Sequence, residues 1–363
     1  MRARPALAAA LTLAATATAV TVAAGPATAA APLTGLAWPT VVTVAADGRG
    51  DFTTVQAAVD AAPAANTTPY LVLIRPGTYK EIIKVPSDKP YLSFVGLGRS
   101  PRDVVLTYDN ANGTPKPDGT GTYGTSGSAS VTIDGHDFTA RNLTFENAFD
   151  EAAHPEITGR QSVAVLTRAD RIVFDKVRFL SNQDTLYLNS TAATVVARVA
   201  LHDCYVEGDV DFIFGRATAV FDGCTIHSLD RGSTTNNGYV VAPSTDINNR
   251  YGFLFQRSRL TGATTAATVY LGRPWHPSND PNAVGQVLFR DTWLGGHIRP
   301  DAWSDFSGGW SWRDARFFEH RTRGPGAVVS DDRPQLPADQ VAEFTAEKYL
   351  AGTDGWDPLR YCW

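Results

Sequence analysis

The chain has 363 residues, with 32 Lys and Arg against 37 Asp and Glu and a formal net charge of −5. That balance excludes the basic footprint of a nucleic-acid binder and disfavours a strongly anionic partner; a neutral or partly neutralised polymer is acceptable. An apolar content of 43% suffices for a sizeable core, and beyond residue 30 nothing approaches the length of a membrane-spanning helix.

In chain order, Arg2 and Arg4 precede a diluted Ala/Leu/Thr/Val run, and Ala27-Thr28-Ala29 fits a cleavage site. Residues 1–30 therefore read as a secretory signal peptide cut near Ala29, and residues 31–363 as one secreted domain. Val55–Ala62 reads as a short amphipathic helix, capped by Thr53 or Thr54 and suited to plug an open end of a stacked fold. Tyr70–Ile74 and Tyr91–Val95 are strand candidates, with Ile82, Ile83 and Val85 continuing the first. Gly96-Leu97-Gly98 lacks both a following helix and the full six-residue fingerprint, so a nucleotide loop is rejected. Three stretches, 110–130, 148–159 and 232–249, have the composition of long surface loops of the kind that wall a groove. Ala338–Leu350 has a helical composition suited to the outside or the C-terminal end of the fold.

Six eight-residue segments align: Phe138–Phe145, Ile172–Phe179, Val199–Val206, Ala219–Ile226, Phe253–Leu260 and Val287–Leu294. Positions one, three and eight are apolar, and polar or turn-forming residues lie between. Units this short cannot bury their own apolar face, so they must stack, and their Val, Ile and Phe content favours strands. Constant strands joined by unequal loops predict an all-β chain, a parallel β-helix in which each coil adds a strand to a long parallel sheet.

Stacking has two consequences. Cys204 and Cys224 both occupy position six of consecutive repeats, about 4.8 Å apart, within reach of a disulfide. Asp184 lies five residues after Phe179, and Asp211 lies five after Val206. The shared offset sets the two carboxylates side by side on one face. Like charges that close do not both ionise readily, which splits them into an acid and a base or nucleophile.

A Gly-x-Ser-x-Gly elbow and dense metal spacing are both absent from the sequence, so neither a serine esterase of the usual type nor a metal site is expected. Five motifs occur in order: Gly77-x-Tyr79-x-Glu81, Gln161-Ser162-Val163-Ala164, Gln183-Asp184-Thr185-Leu186, Gly208-x-Val210-Asp211-Phe212-Ile213-Phe214-Gly215 and Leu271-Gly272-Arg273-Pro274-Trp275. At these residues the sequence resembles pectin methylesterases, right-handed parallel β-helix enzymes that remove methyl esters from homogalacturonan. The resemblance implies Asp211 as nucleophile, Asp184 as general acid then base, Gln161 and Gln183 as oxyanion donors, and Arg273 orienting Asp211. It further implies sugar contacts by Trp275, Phe214, Tyr187 and, on a short match, Thr125. The implied partner is methyl-esterified homogalacturonan, acted on by a monomer with no cofactor and no nucleic-acid or membrane role.

Strand alternation complicates one of these roles. In a regular strand Phe212 and Phe214 face away from Asp211, so the Phe214 contact requires a bend. The chain also departs from the family in the long Asn189–Ala200 segment, in Ala242-Pro243-Ser244 and in Asp301–Phe306, which bear on substrate preference and not on reaction type. The runner-up is another pectin-active β-helix, either a glycoside hydrolase, which paired carboxylates also suit, or a lyase, and a non-catalytic polysaccharide binder is the third reading. Methanol release at unchanged polymer length separates the first from the others.

Overall fold

The computed structural model describes residues 39–361; the expected leader and Cys362 lie outside them. The described chain is a right-handed parallel β-helix of three sheets with ten, seven and eight strands. One coil runs Ile172–Asp175, Arg178–Leu180, Leu186–Leu188, each strand in a different sheet; the next runs Arg198–His202, Tyr205–Gly208, Val210–Gly215.

The eight-residue repeat is the corner between the ten- and eight-stranded sheets. Its third residues pair in register from Ala140 through Phe174, Leu201, Phe221 and Phe255 to Phe289. Its eighth residues pair from Phe145 through Phe179, Val206, Ile226 and Leu260 to Leu294. The fifth residue turns the chain: Asn142, Lys176, Asp203, Gly223, Arg257 and Asp291 have φ between 50° and 66°. Side chains seldom occupy that left-handed region. Here it lets each corner N–H reach the carbonyl one coil on, as from Lys176 to His202 and from Asp203 to Asp222. Inside, the phenylalanines pack face to face, Phe255 at 4.3 Å from Phe221 and 4.7 Å from Phe289.

The plug is present. Val55–Ala61 is a helix capped by Thr54, and Val55, Ala58 and Val59 enter the solenoid core. The Glu81 carboxylate accepts the first helical N–H groups, Val55 at 2.8 Å and Gln56 at 2.9 Å. The Gly77-x-Tyr79-x-Glu81 motif therefore anchors this cap.

Three expectations need correction. The 232–249 stretch is not all loop: Gly238–Pro243 is a strand of the seven-stranded sheet, its apolar run masked by Gly and Asn neighbours. The C-terminal helix is confined to Ala346–Leu350, because Arg290 Nη1 takes the Val341 and Phe344 carbonyls at 3.1 and 2.8 Å. It does pack outside, where Phe344, Tyr349 and Leu350 cover Ala200, Val220, Leu254 and Leu288 of the ten-stranded sheet. Finally, Cys204 and Cys224 occupy adjacent coils but are free thiols. In-register parallel neighbours keep their Cβ atoms near the strand repeat, farther apart than the ~3.8 Å typical of a disulfide. Each Sγ instead donates to corner carbonyls, Cys204 to His202 at 3.3 Å and Cys224 to Leu201 at 3.5 Å.

Candidate active site

The seven-stranded sheet carries the candidate residues on its outer face. Asp184 lies just before Leu186–Leu188, Asp211 is the second residue of Val210–Gly215, and Arg273 directly follows Val269–Gly272. Three coils within a run of four, and the loops beside them, thus converge on a cleft of about 570 Å³. Gln161, Gln183, Asp184, Asp211, Arg273, Tyr187, Phe214, Trp275 and Thr125, the residues singled out in the sequence, all line it. The Asp184 N–H donates to the Val210 carbonyl at 3.1 Å, which ties the acid-bearing turn to the strand that carries Asp211.

Both aspartates have left-handed backbones, φ 68° at Asp184 and 49° at Asp211. At Asp211 this produces the bend that regular alternation forbade. The pairing with Gly238–Pro243 shifts register between Val210 and Ile213. Phe212 and Ile213 then both enter the solenoid core, while Asp211 and Phe214 both face the cleft. A bulge of this kind re-aims side chains without ending the strand.

Arg273 grips Asp211 with a two-pronged contact, Nε to Oδ1 at 2.9 Å and Nη2 to Oδ2 at 2.7 Å. The guanidinium is itself held 3.9 Å from the Tyr239 ring and 4.7 Å from Phe306. Such forks fix a carboxylate in orientation as well as in charge. Asp184 has no such cation. Burial first, and then the neighbouring Asp211 charge, raise its proton affinity well above that of an ordinary aspartate; a hydrogen bond from Gln183 and the field of Arg273 oppose them. Burial also raises Asp211, and the Arg273 contacts pull it back. The sequence led us to expect Arg273 to depress Asp211 outright, but Asp211 is buried and its desolvation outweighs the ion pair. The contrast survives: the proton rests on Asp184 more readily than on Asp211.

The aromatic residues form a cluster on the same face. Tyr187 and Phe214 stack at 4.1 Å, and Trp275 stands edge-on to both at 5.9 and 5.5 Å. Gln161 lines the cleft with its side-chain oxygen buried and unpartnered. Thr125, in the helical turn Gly124–Gly127, accepts a hydrogen bond from Asn112 Nδ2 at 2.9 Å.

Sequence reasoning missed Tyr239 and Phe306, which sandwich Arg273, and Tyr123 on the rim. Tyr239 was detectable in principle, since it sits in the next coil beside Val210. Its strand had been taken for loop. A larger cavity of about 710 Å³ lies under the C-terminal segment. Its arginines are largely matched, Arg257 to Asp222 at 2.6 Å and Arg321 to Asp291 at 3.0 Å, and nothing there pairs an acid with a fixed nucleophile.

Comparison with known proteins places the chain in a family. The family described as Pectinesterase matches residues 41–353. Pectinesterase A of Dickeya dadantii (strain 3937) is 36% identical over 344 residues, covering 86% of this chain and 89% of that protein. The solved pectin methylesterase PemA from Erwinia chrysanthemi superposes with a TM-score of 0.76 at 34% identity, covering 88% of this chain and 98% of the other. A pectin methylesterase solved in complex with a hexasaccharide matches with a TM-score of 0.77 at 34% identity, over 87% and 97% of the two chains.

Proposed function

Because the chain belongs to the pectinesterase family and is a carboxylic ester hydrolase that de-esterifies pectin, we propose that it works through an aspartyl acyl-enzyme, with Asp211 as nucleophile and Asp184 as acid and then base. One observation carries this reading: two buried carboxylates share one cleft, and only Asp211 is gripped by an arginine.

The Asp211 carboxylate attacks the carbonyl carbon of the methyl ester, and the amides of Gln161 and Gln183 donate to the oxyanion that forms. Gln183 has two N–H groups, so it can serve Asp184 and the oxyanion together. As the tetrahedral intermediate collapses, the C–O bond to the methoxy group breaks and Asp184 delivers its proton, releasing methanol. An anhydride of Asp211 remains. Water attacks it while Asp184 takes one of its protons; the uronic acid so formed gives its own proton to solvent as the carboxylate, and both aspartates are restored. Every atom and proton is accounted for by protein, ester and water. Burial of the pair suits both steps, since it keeps Asp184 protonated and strips solvent from the nucleophile.

The cluster of Tyr187, Phe214 and Trp275 supports a role as a sugar platform, with Thr125 lining the same cleft. We read the protein as a secreted monomer acting on methyl-esterified homogalacturonan outside the cell. Asp211→Ala and Asp184→Ala should each abolish methanol release from methyl-esterified pectin while the far-ultraviolet spectrum stays β-rich. Retained turnover in both variants would refute the mechanism, and shortened polymer chains would favour a glycoside hydrolase.

A further inference from the structure

The open position of the Gly208-x-Val210-Asp211 motif holds a third carboxylate, which the mechanism above leaves unused. Asp209 directly precedes the strand Val210–Gly215 and is 6% exposed. Its Oδ1 accepts the Val210 N–H at 2.6 Å, and the Val210 carbonyl in turn accepts the Asp184 N–H at 3.1 Å. One residue thus joins the Asp209 carboxylate to the turn that bears the acid. The main chain adds a second tie, from the Asp209 N–H to the Asn182 carbonyl at 3.1 Å. On the other side the Asp209 carbonyl accepts the Tyr239 N–H at 3.0 Å, and the Tyr239 ring lies 3.9 Å from the Arg273 guanidinium. The Val210 N–H is therefore taken by a side chain instead of by the neighbouring coil, and the register shifts immediately afterwards, between Val210 and Ile213.

Three charged groups face Asp209 from other elements. Arg231, from the loop after Thr225–Ser228, approaches to 3.7 Å and is itself half exposed. Glu151, from the loop after Thr144–Asn147, is matched by Arg160 at 3.1 Å. Asp184 stands in the preceding coil. Burial pushes Asp209 up to about 6; Arg231 and the Val210 N–H resist that rise, and Glu151 adds to it. Once charged, Asp209 strengthens the hold of Asp184 on its proton, after burial and Asp211 have raised it. The balance at Asp211 is set by burial and Arg273.

We propose that Asp209 is a positioning residue of the reaction centre: its carboxylate fixes, through Val210, the turn that carries Asp184, and sets a further negative charge behind that acid. The inference rests on the mechanistic reading above and adds a pH range to it. The charge on Asp209 develops as pH rises through about 6, so the acid stays protonated further into the alkaline range than Asp211 alone would keep it.

The test measures kcat and kcat/KM for methanol release across pH in wild type, Asp209→Asn and Asp209→Ala. The Asn variant keeps an acceptor for the Val210 N–H and loses the charge. Its alkaline limb should move to lower pH by about half a unit, the size expected for one partly screened charge, while the acid limb set by Asp211 stays in place. The Ala variant lacks the acceptor as well, and its kcat should fall about fivefold further at every pH, the factor for one net hydrogen bond. An Asn profile with both limbs where the wild type has them, or with both displaced together, would overturn the charge role. Equal kcat in the two variants would overturn the positioning role. Should the Ala variant not fold, the Asn profile alone decides. Failure of the mechanistic reading would appear elsewhere, as turnover surviving Asp211→Ala and Asp184→Ala, whereas failure of this inference would leave those two variants inactive.

Discussion

Replacing Arg273 by Gln tests the electrostatic core of the site. The substitution removes both prongs on Asp211, at 2.9 and 2.7 Å, and leaves a carboxylate with 11% of its side chain exposed and no counterion. Breaking one side of a buried ion pair costs about 3–5 kcal/mol. Asp211 escapes much of that cost by taking up a proton, since burial already favours its neutral form. A bias of about 3 kcal/mol toward the protonated state lowers the fraction of competent nucleophile by about 10² at a pH where the wild type is ionised. Methanol release measured across pH should therefore show its acid limb displaced to higher pH, with turnover recovering as pH is raised until Asp184 loses its proton. Arg273→Lys should recover part of the loss, because it restores charge without the fork. The reasoning fails if Arg273→Gln lowers turnover equally at every pH, or if its acid limb stays where the wild-type limb is.

Three further outcomes follow from the same structure. Asp184 binds its proton more tightly in the folded state than its ordinary value of 3.8 implies. Its contribution to stability is thus complete below that value and is lost as pH rises through the folded-state value, so Asp184→Asn should melt higher than wild type at neutral pH and not at pH 3, while losing activity. An equal or lower melting temperature at neutral pH would count against the burial argument. Phe255→Ala removes a fully buried ring from the face-to-face ladder with Phe221 and Phe289 and should cost about 3–5 kcal/mol in denaturant unfolding, with under ~1 kcal/mol contradicting a close-packed solenoid. Cys204 and Cys224 are buried as free thiols, and burial pushes the Cys224 thiol well up, so a thiol reagent should modify two more groups in denaturant than in the native protein; no increase would mean that the pair is oxidised.

What could be read from the residues alone was periodic. The apolar third and eighth positions of the repeat specify stacking, because a solenoid places identical positions of successive coils in contact. The same rule carried Asp184 and Asp211 to one face and Cys204 to the neighbourhood of Cys224. Motif order then located Arg273, whose fork on Asp211 joins residues in different coils. Only the folded chain decided what depends on broken periodicity or on distance within an environment. The bulge at Asp211 interrupts alternation and turns Phe214 into the cleft, and no two-residue pattern encodes where a strand gains an extra residue. Burial reversed the expected depression of Asp211, since desolvation is set by every atom packed around the carboxylate and not by its one ionic partner. Parallel register kept Cys204 and Cys224 as neighbours yet unbonded, because in-register strands hold them a strand repeat apart.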